Sequence, residues 1–227
     1  MGGRAVGRSA SWSLLGAAAL WTARPPVRPP AQDPWPILER ASATFAGIQT
    51  LSADFVQVIT NPMLGAPDTT RGRLYQRRPN QFAMRFSDPA GDRIVADGRY
   101  LWFYTPSTTP GQVIRSRIPE AGTTGPNLIA QFVERPKERY RARFVRSDST
   151  ARGWVDVVAL TPRDSSLPYI GAQLWVTRDD GLVRRLEIAE HNGQDRAILL
   201  RAVKVNAAVP AREFRFAPPA GVMVMDQ

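Results

Sequence analysis

Three glycine dipeptides, Asp97-Gly98, Asp180-Gly181 and Asn192-Gly193, each interrupt a run rich in β-branched and other apolar residues. Such pairs supply the positive φ angles of a tight type I′ turn, and that turn joins antiparallel neighbours. "RIVADGRYLWFY" therefore reads as one hairpin, while "LWVTRDDGLVRRLEI" and "RLEIAEHNGQDRAILL" read as two that share a strand, giving a three-stranded meander over 170–205. Alternating segments at 51–57, 72–76 and 81–86, with strand-like runs at 111–115, 139–147, 154–160, 212–216 and 222–225, bring the total to about eleven strands. Strands and helices do not alternate along the chain, which argues against a parallel α/β sheet. The predicted class is mainly β (α+β), one large antiparallel sheet, strongly curved or partly closed into a barrel.

Two segments read as helical. Asp33-Pro34 has the form of an N-cap followed by proline at the first helical position, and Leu38, Ala41, Phe45 and Ile48 recur at helical spacing, with an end near Gly47. Later, 105–136 is rich in Pro, Gly, Ser and Thr but holds "PNLIAQFV", where Leu128, Ile129, Phe132 and Val133 are spaced for a helix of about two turns. A connection this long in a compact domain is usually functional, and a lid is the common case. In "RYLWFY", Tyr100, Trp102 and Tyr104 alternate with Leu101 and Phe103, so both faces of that strand are apolar. Such a strand implies a sheet packed on one face and covered by helices on the other.

Residues 1–23 combine Arg4 and Arg8 with "WSLLGAAALW" and small residues, the pattern of a signal peptide, with a core helix as the competing reading. The apolar run is far shorter than the roughly 20 residues of a membrane span. A Pro-rich spacer over 24–32 follows, and the domain is expected over 33–227. The 227-residue chain carries a formal +10 and no cysteine. The charge is compatible with nucleic acid, an anionic membrane surface or an acidic partner, but its arginines are scattered, as on solvated strand faces. Without cysteine there are no disulfides, no thiolate chemistry and no acceptor for an N-terminal lipid anchor. An export signal before a cysteine-free domain points to the space between two membranes.

The residues of catalysis are sparse. His191 is the sole histidine and sits beside a hairpin turn, and no Ser-His-Asp set, HxxxH pair or phosphate loop is present. Asp179-Asp180 and Glu187 with Glu190 read as turn and outer-face residues rather than a glycosidase pair. The expectation is a binding protein, not an enzyme, with no metal and no cofactor.

Taken together, "LSADFVQ" at 51–57, "GRLYQRRPNQFAMRFSDP" at 72–89, "IVADGRYLWFYTP" at 94–106, "LTP" at 160–162 and "FRFAPPAGVMVMD" at 214–226 resemble the bacterial outer-membrane lipoprotein carrier family, LolA. The resemblance implies an incomplete antiparallel barrel with helices forming a lid over a hydrophobic cavity. It implies a periplasmic chaperone that takes lipoproteins from an inner-membrane ABC transporter, shields their acyl chains and delivers them to an outer-membrane receptor. The chain is expected to be the soluble carrier, a monomer that binds no nucleic acid. Arg78, before the proline of the "RP" motif, matches the residue that latches the lid. Phe55, Phe82, Met84, Phe86, Trp102, Leu128 and Ile129 match the cavity, while Arg77 and Arg85 are expected to face outward. The sequence departs from the family at Asn127, in the long segment flanking the lid helix and in the loop at 61–70. The alternatives are a lipid or glycolipid carrier or a lipoprotein sensor of the same fold and, more distantly, a basic nucleic-acid-binding protein or a hydrolase.

Overall fold

The computed structural model describes residues 32–63, 65–118, 129–151 and 153–227. The signal segment and nearly all of the Pro-rich spacer lie outside the described residues, as do Asn127 and Leu128. Helix α1 spans Trp35–Ala46. Asp33 Oδ1 accepts the Trp35 N–H at 3.1 Å, and Pro34 is already in helical conformation, so the predicted N-terminal signal sets where α1 starts.

Six strands follow: β1 (Thr50–Thr60), β2 (Asp68–Arg77), β3 (Gln81–Asp88), β4 (Ala90–Asp97), β5 (Tyr100–Tyr104) and β6 (Gln112–Arg117). Two short helices, α2 (Ala130–Val133) and α3 (Pro136–Arg139), lead into β7 (Tyr140–Thr150), β8 (Gly153–Pro162), β9 (Tyr169–Thr177), β10 (Val183–Glu190) and β11 (Asp195–Val205). β12 (Met223–Asp226) is the last element. All twelve strands form one sheet in the order β12-β6-β5-β4-β3-β2-β1-β11-β10-β9-β8-β7. Two antiparallel meanders are thus joined where β1 pairs with β11. The sheet curves around α1 without closing, since β7 and β12 remain at its edges.

Three details differ from expectation. Residues 212–216 do not form a strand: Ala211–Phe214 is a 3-10 turn lying against β3 and β4. β12 pairs with β6 in parallel, so the sheet has twelve strands rather than about eleven and is not wholly antiparallel. In the three hairpins only the glycine takes positive φ, at Gly98, Gly181 and Gly193, so the turns are not type I′. The β4–β5 turn instead has glycine at its first central position, and the Asp97 carboxylate accepts the N–H groups of Arg99 and Tyr100 at 2.8 Å each.

Alternation along the strands divides side chains between two faces. The inner face, beneath α1 and α2, carries the main core, including Phe55, Leu74, Phe82, Met84, Leu160, Leu174, Leu186 and Ile198. The outer face of β2–β6 has a smaller core of Ala83, Val95, Trp102 and Val113, closed by Val209, Phe214, Phe216 and Val222. The apolar outer surface of β5 is therefore covered by the C-terminal segment and not by helices. A third cluster, Val155, Val157 and Trp175, lies on the outer face of β8 and β9.

Candidate binding face and its lid

The inner face is aromatic where β1, β2 and β3 meet. Gly72 stands opposite both Phe55 and Phe86. With no side chain between them, those two rings meet edge to face, their centres 5.2 Å apart. A Cβ on Gly72 would fall 2.0 Å from the Arg85 carbonyl oxygen, so the close backbone approach here requires glycine.

On this face α1 lays Ile37, Leu38, Ala41 and Phe45, and the α2 segment adds Ile129, Phe132 and Val133. Two voids of about 10 Å³ each remain between Ile129 and its neighbours on α1, β1, β10 and β11, room for at most one water. Among the described residues, α1 and α2 bury their apolar faces on the concave side. Burial of Ile37, Leu38 and Phe45 holds α1 there by roughly 5–9 kcal/mol, at about 1.5–3 kcal/mol per large apolar side chain.

Polar contacts fix α1 at both ends of its contact with the sheet. The last turn of a helix leaves carbonyls without intrahelical partners. Arg78 adds donors at this end: its Nε donates to the Ile48 carbonyl, just past the helix, at 2.8 Å and its Nη2 to the Phe45 carbonyl at 3.0 Å, which also accepts the Ile48 N–H at 3.1 Å. Its guanidinium also lies 4.9 Å from the centre of the Phe45 ring and 3.8 Å from Glu134 Oε1, just beyond α2. One side chain at the end of β2 thus touches both lid helices' termini. Asn206 completes this end, accepting the Gln49 N–H at 2.7 Å and donating to the Gly47 carbonyl at 3.1 Å.

The opposite side of α1 is held by Asp156 on β8, which is 3% exposed. Its carboxylate accepts from Arg40 of α1 at 3.3 Å, from Arg178 at 2.7 Å and from Ser147 at 2.8 Å. Burial alone would raise the Asp156 pKa, but the bonds from Arg178 and Ser147, the Arg178 charge and the bond from Arg40 outweigh it and hold the carboxyl below its usual range. Beside it, Thr44 Oγ1 donates to the Asp180 carbonyl at 2.9 Å. Gly181 is packed so tightly against α1 that an added Cβ would lie 2.5 Å from Thr44 Oγ1. The α2 segment has its own tether, with the Tyr140 hydroxyl donating to the Gln131 carbonyl at 2.8 Å.

The structure brings Phe55, Phe82, Met84, Phe86 and Ile129 onto one face and sets Arg78 at its rim. Trp102 is a correction. It lies in the outer-face core, its indole N–H donating to Asp97 Oδ2 at 2.8 Å and its ring tilted against Phe216 at 5.5 Å. The inner-facing residue of that strand is Leu101. Arg77 and Arg85 do face outward, but against the C-terminal segment: Arg77 lies over the Phe214 ring at 4.9 Å and Arg85 pairs with Glu213 at 2.7 Å. Sequence reasoning missed Arg40, Asp156, Gly181 and Asn206. Only Gly181 carried a signal, as a turn residue.

A groove of about 630 Å³ opens elsewhere, lined among others by Val58, Gln173, Arg185, Glu187 and Ala197. Alternation places these five on the outer face, away from the lid, and none of the expected site residues lines it. No cluster of three metal-ligating side chains occurs among the described residues, and none of their helices is long and apolar enough to cross a membrane.

Comparison with known proteins gives a consistent picture. The family described as Outer membrane lipoprotein carrier protein LolA matches residues 46–217. The outer-membrane lipoprotein carrier protein of Albidiferax ferrireducens is 31% identical over 187 residues, covering 79% of this chain and 86% of that protein. That of Chromobacterium violaceum is 27% identical over 183 residues, covering 81% and 84%. An uncharacterized conserved protein of Thermus thermophilus shares the fold with a TM-score of 0.54 at 14% identity, over 86% of this chain and all of that one.

Proposed function

Since the chain belongs to the LolA family of outer-membrane lipoprotein carrier proteins, we propose that it binds the acyl chains of lipoproteins on the inner face of its sheet and carries them across the periplasm. The observation that carries this reading is the pairing of an apolar face with helices that cover it, their polar ties set at the rim, as at Arg78, Asn206 and Asp156. Burial of one acyl chain of about 15 methylenes is worth roughly 12 kcal/mol, at about 0.8 kcal/mol per CH₂. That exceeds the roughly 5–9 kcal/mol by which its large apolar side chains hold α1 on the sheet. An acyl chain can therefore displace the helix, while the helix, returning, offsets much of the cost of releasing the chain. Binding and release both stay within reach.

In this reading Phe55, Phe82, Met84, Phe86 and Ile129 line the acyl site, with Leu128 as a further lid residue, and Arg78 is the latch whose bonds to α1 break on loading. The carrier works as a monomer and by binding, without catalysis. It receives lipoproteins from an inner-membrane ABC transporter and delivers them to an outer-membrane receptor. The test is incubation of the purified chain with spheroplasts or transporter-containing vesicles, reading the release of labelled lipoprotein in soluble form. Release is expected. Failure of release while a free fatty ligand still binds would replace this reading with that of a lipid carrier or sensor of the same fold.

A further inference from the structure

The outer face of β11 and β1–β4 carries a row of cations that lid and binding face do not use. In cross-strand register Arg201 stands opposite Asp54, Asp54 opposite Arg73, Arg73 opposite Arg85, and Arg85 opposite Arg93. At about 4.8 Å between strands the row runs roughly 19 Å across the sheet. Arg85 is covered by the C-terminal turn, tied to Glu213 at 2.7 Å and to the Arg212 carbonyl at 3.3 Å, while Arg212, 3.4 Å from the same carboxylate, is exposed beside it, so the cations open to solvent are Arg201, Arg73, Arg93 and Arg212. Arg73 reaches Asp54 only at 3.8 Å, and Arg93 is exposed and has no acidic partner among the described residues. Five guanidiniums thus stand with two carboxylates, which pair with Arg73, Arg85 and Arg212. Like charges placed directly opposite one another on a sheet oppose its stability. Other strand-face arginines avoid this, as Arg71 does with Asp88, Arg115 with Asp226 and Arg196 with Glu190.

We propose that this arginine row is a docking face for an anionic membrane surface, its guanidiniums set against phospholipid phosphates. The guanidinium fork matches phosphate oxygens two at a time. A bilayer offers such phosphates in a plane, where the exposed Arg201, Arg73 and Arg93, with Arg212 on the turn that covers Arg85, can meet several of them. A protein partner would need an apolar or aromatic anchor at the centre of the contact. Among the described residues the exposed large apolar side chains are Met63, Phe103, Trp154, Ile170, Val205 and Met223–Met225, and none of them belongs to the row. Single-stranded nucleic acid would need exposed rings for stacking. The flanking Tyr104 is instead packed on Phe216, 5.6 Å between ring centres. The proposal does not rest on the carrier reading.

The test floats the full chain with vesicles of phosphatidylcholine alone or mixed with phosphatidylglycerol, at low and high salt. The parent chain is expected to float with the phosphatidylglycerol vesicles only, and to be released by salt. Each arginine near such a surface is worth roughly fivefold in binding, so Arg73→Gln with Arg93→Gln should weaken it roughly 25-fold. Arg73→Lys with Arg93→Lys, which keeps the charge, should retain most of the binding. Arg141→Gln with Arg143→Gln, which removes the same charge from edge strand β7, should leave it unchanged. All chains carry the same N-terminal segment, so differences report the substituted positions. Equal loss in the β7 variant would reduce the effect to net charge and overturn the proposal. So would absence of anionic-vesicle binding by the parent, or binding of polyglutamate or duplex DNA without binding of vesicles.

Discussion

Arg78 and Ile48 are joined by a 2.8 Å bond from Nε to the carbonyl that follows the last turn of α1. With the companion bond to Phe45 it makes a cation the partner of a helix C-terminus, where the helix dipole favours it. Replacement by leucine, Arg78→Leu, leaves both carbonyls without that donor while the inner-face core is untouched. With Arg78 30% exposed, a loss of about 1–3 kcal/mol is expected, and a melting temperature lower by roughly 2–12 °C. Hydrogen exchange should accelerate at 45–49 first, and lipoprotein transfer should be lost although the chain still folds. Unchanged transfer would remove Arg78 from the mechanism.

Gly181 is needed twice over. Its φ of +67° disfavours any side chain, and a Cβ there would lie 2.5 Å from Thr44 Oγ1 and 3.2 Å from the Arg40 carbonyl. Gly181→Ala should therefore lift the middle of α1 from the β9–β10 turn and cost about 1–3 kcal/mol. Binding of a hydrophobic dye to the exposed inner face should rise. Adding Thr44→Ala relieves the nearer clash but not the backbone strain, so it should restore stability only in part. Dye binding equal to that of the parent chain would show that this contact does not hold the lid.

Acid should loosen the Asp156 and Asp180 side of α1 and, on the outer face, the Asp97 turn, and late. Asp156, Asp97 and Asp180 are all partly desolvated, which raises their pKa values, but each is held below the usual range by its donors: Arg178, Ser147 and Arg40 for Asp156, Tyr100, Trp102 and Arg99 for Asp97, and Thr177, Leu182 and Arg184 for Asp180. At acid pH the unfolded chain then binds more protons than the folded one. Their contribution is complete above about pH 4, the ordinary aspartate value, and is lost as pH falls through the lower folded values. Denaturant midpoints should be flat from neutrality to about pH 5 and fall below it, and Asp156→Asn should start from lower stability and show a shallower fall. A decline already between neutrality and pH 5 would contradict this assignment.

What the sequence disclosed was local. The hairpin glycines lie between the strands they join, and the alternation of Phe82, Met84 and Phe86 lies within one strand, so both could be read without knowing the fold. Trp102 could not be placed, because β5 is apolar on both faces and its outer cover, Phe214 and Phe216, lies over a hundred residues away. For the same reason Phe214 read as part of a strand: Glu213 and Phe214 meet Arg85 and the outer core through a 3-10 turn, a preference set by packing and not by alternation. Arg40 and Asp156 are 116 residues apart. Their pairing follows from where β8 falls in the sheet, which no short motif encodes.

The two faces of the sheet give a sharper test of where the ligand binds. Phe86 is half-buried on the inner face against Phe55, so Phe86→Glu puts a charge beside any bound acyl chain while the chain can still fold. Binding of a fatty ligand should fall by more than tenfold, since an unpaired carboxylate in an apolar site costs at least about 2 kcal/mol. Trp102→Phe removes the indole bond to Asp97 and part of the ring's packing against Tyr100 and Phe216, all on the outer face. It should lower stability by about 1–3 kcal/mol and leave ligand affinity unchanged. Ligand binding and melting measured on both variants separate the faces: loss of binding in Trp102→Phe, or its survival in Phe86→Glu, would move the site off the inner face.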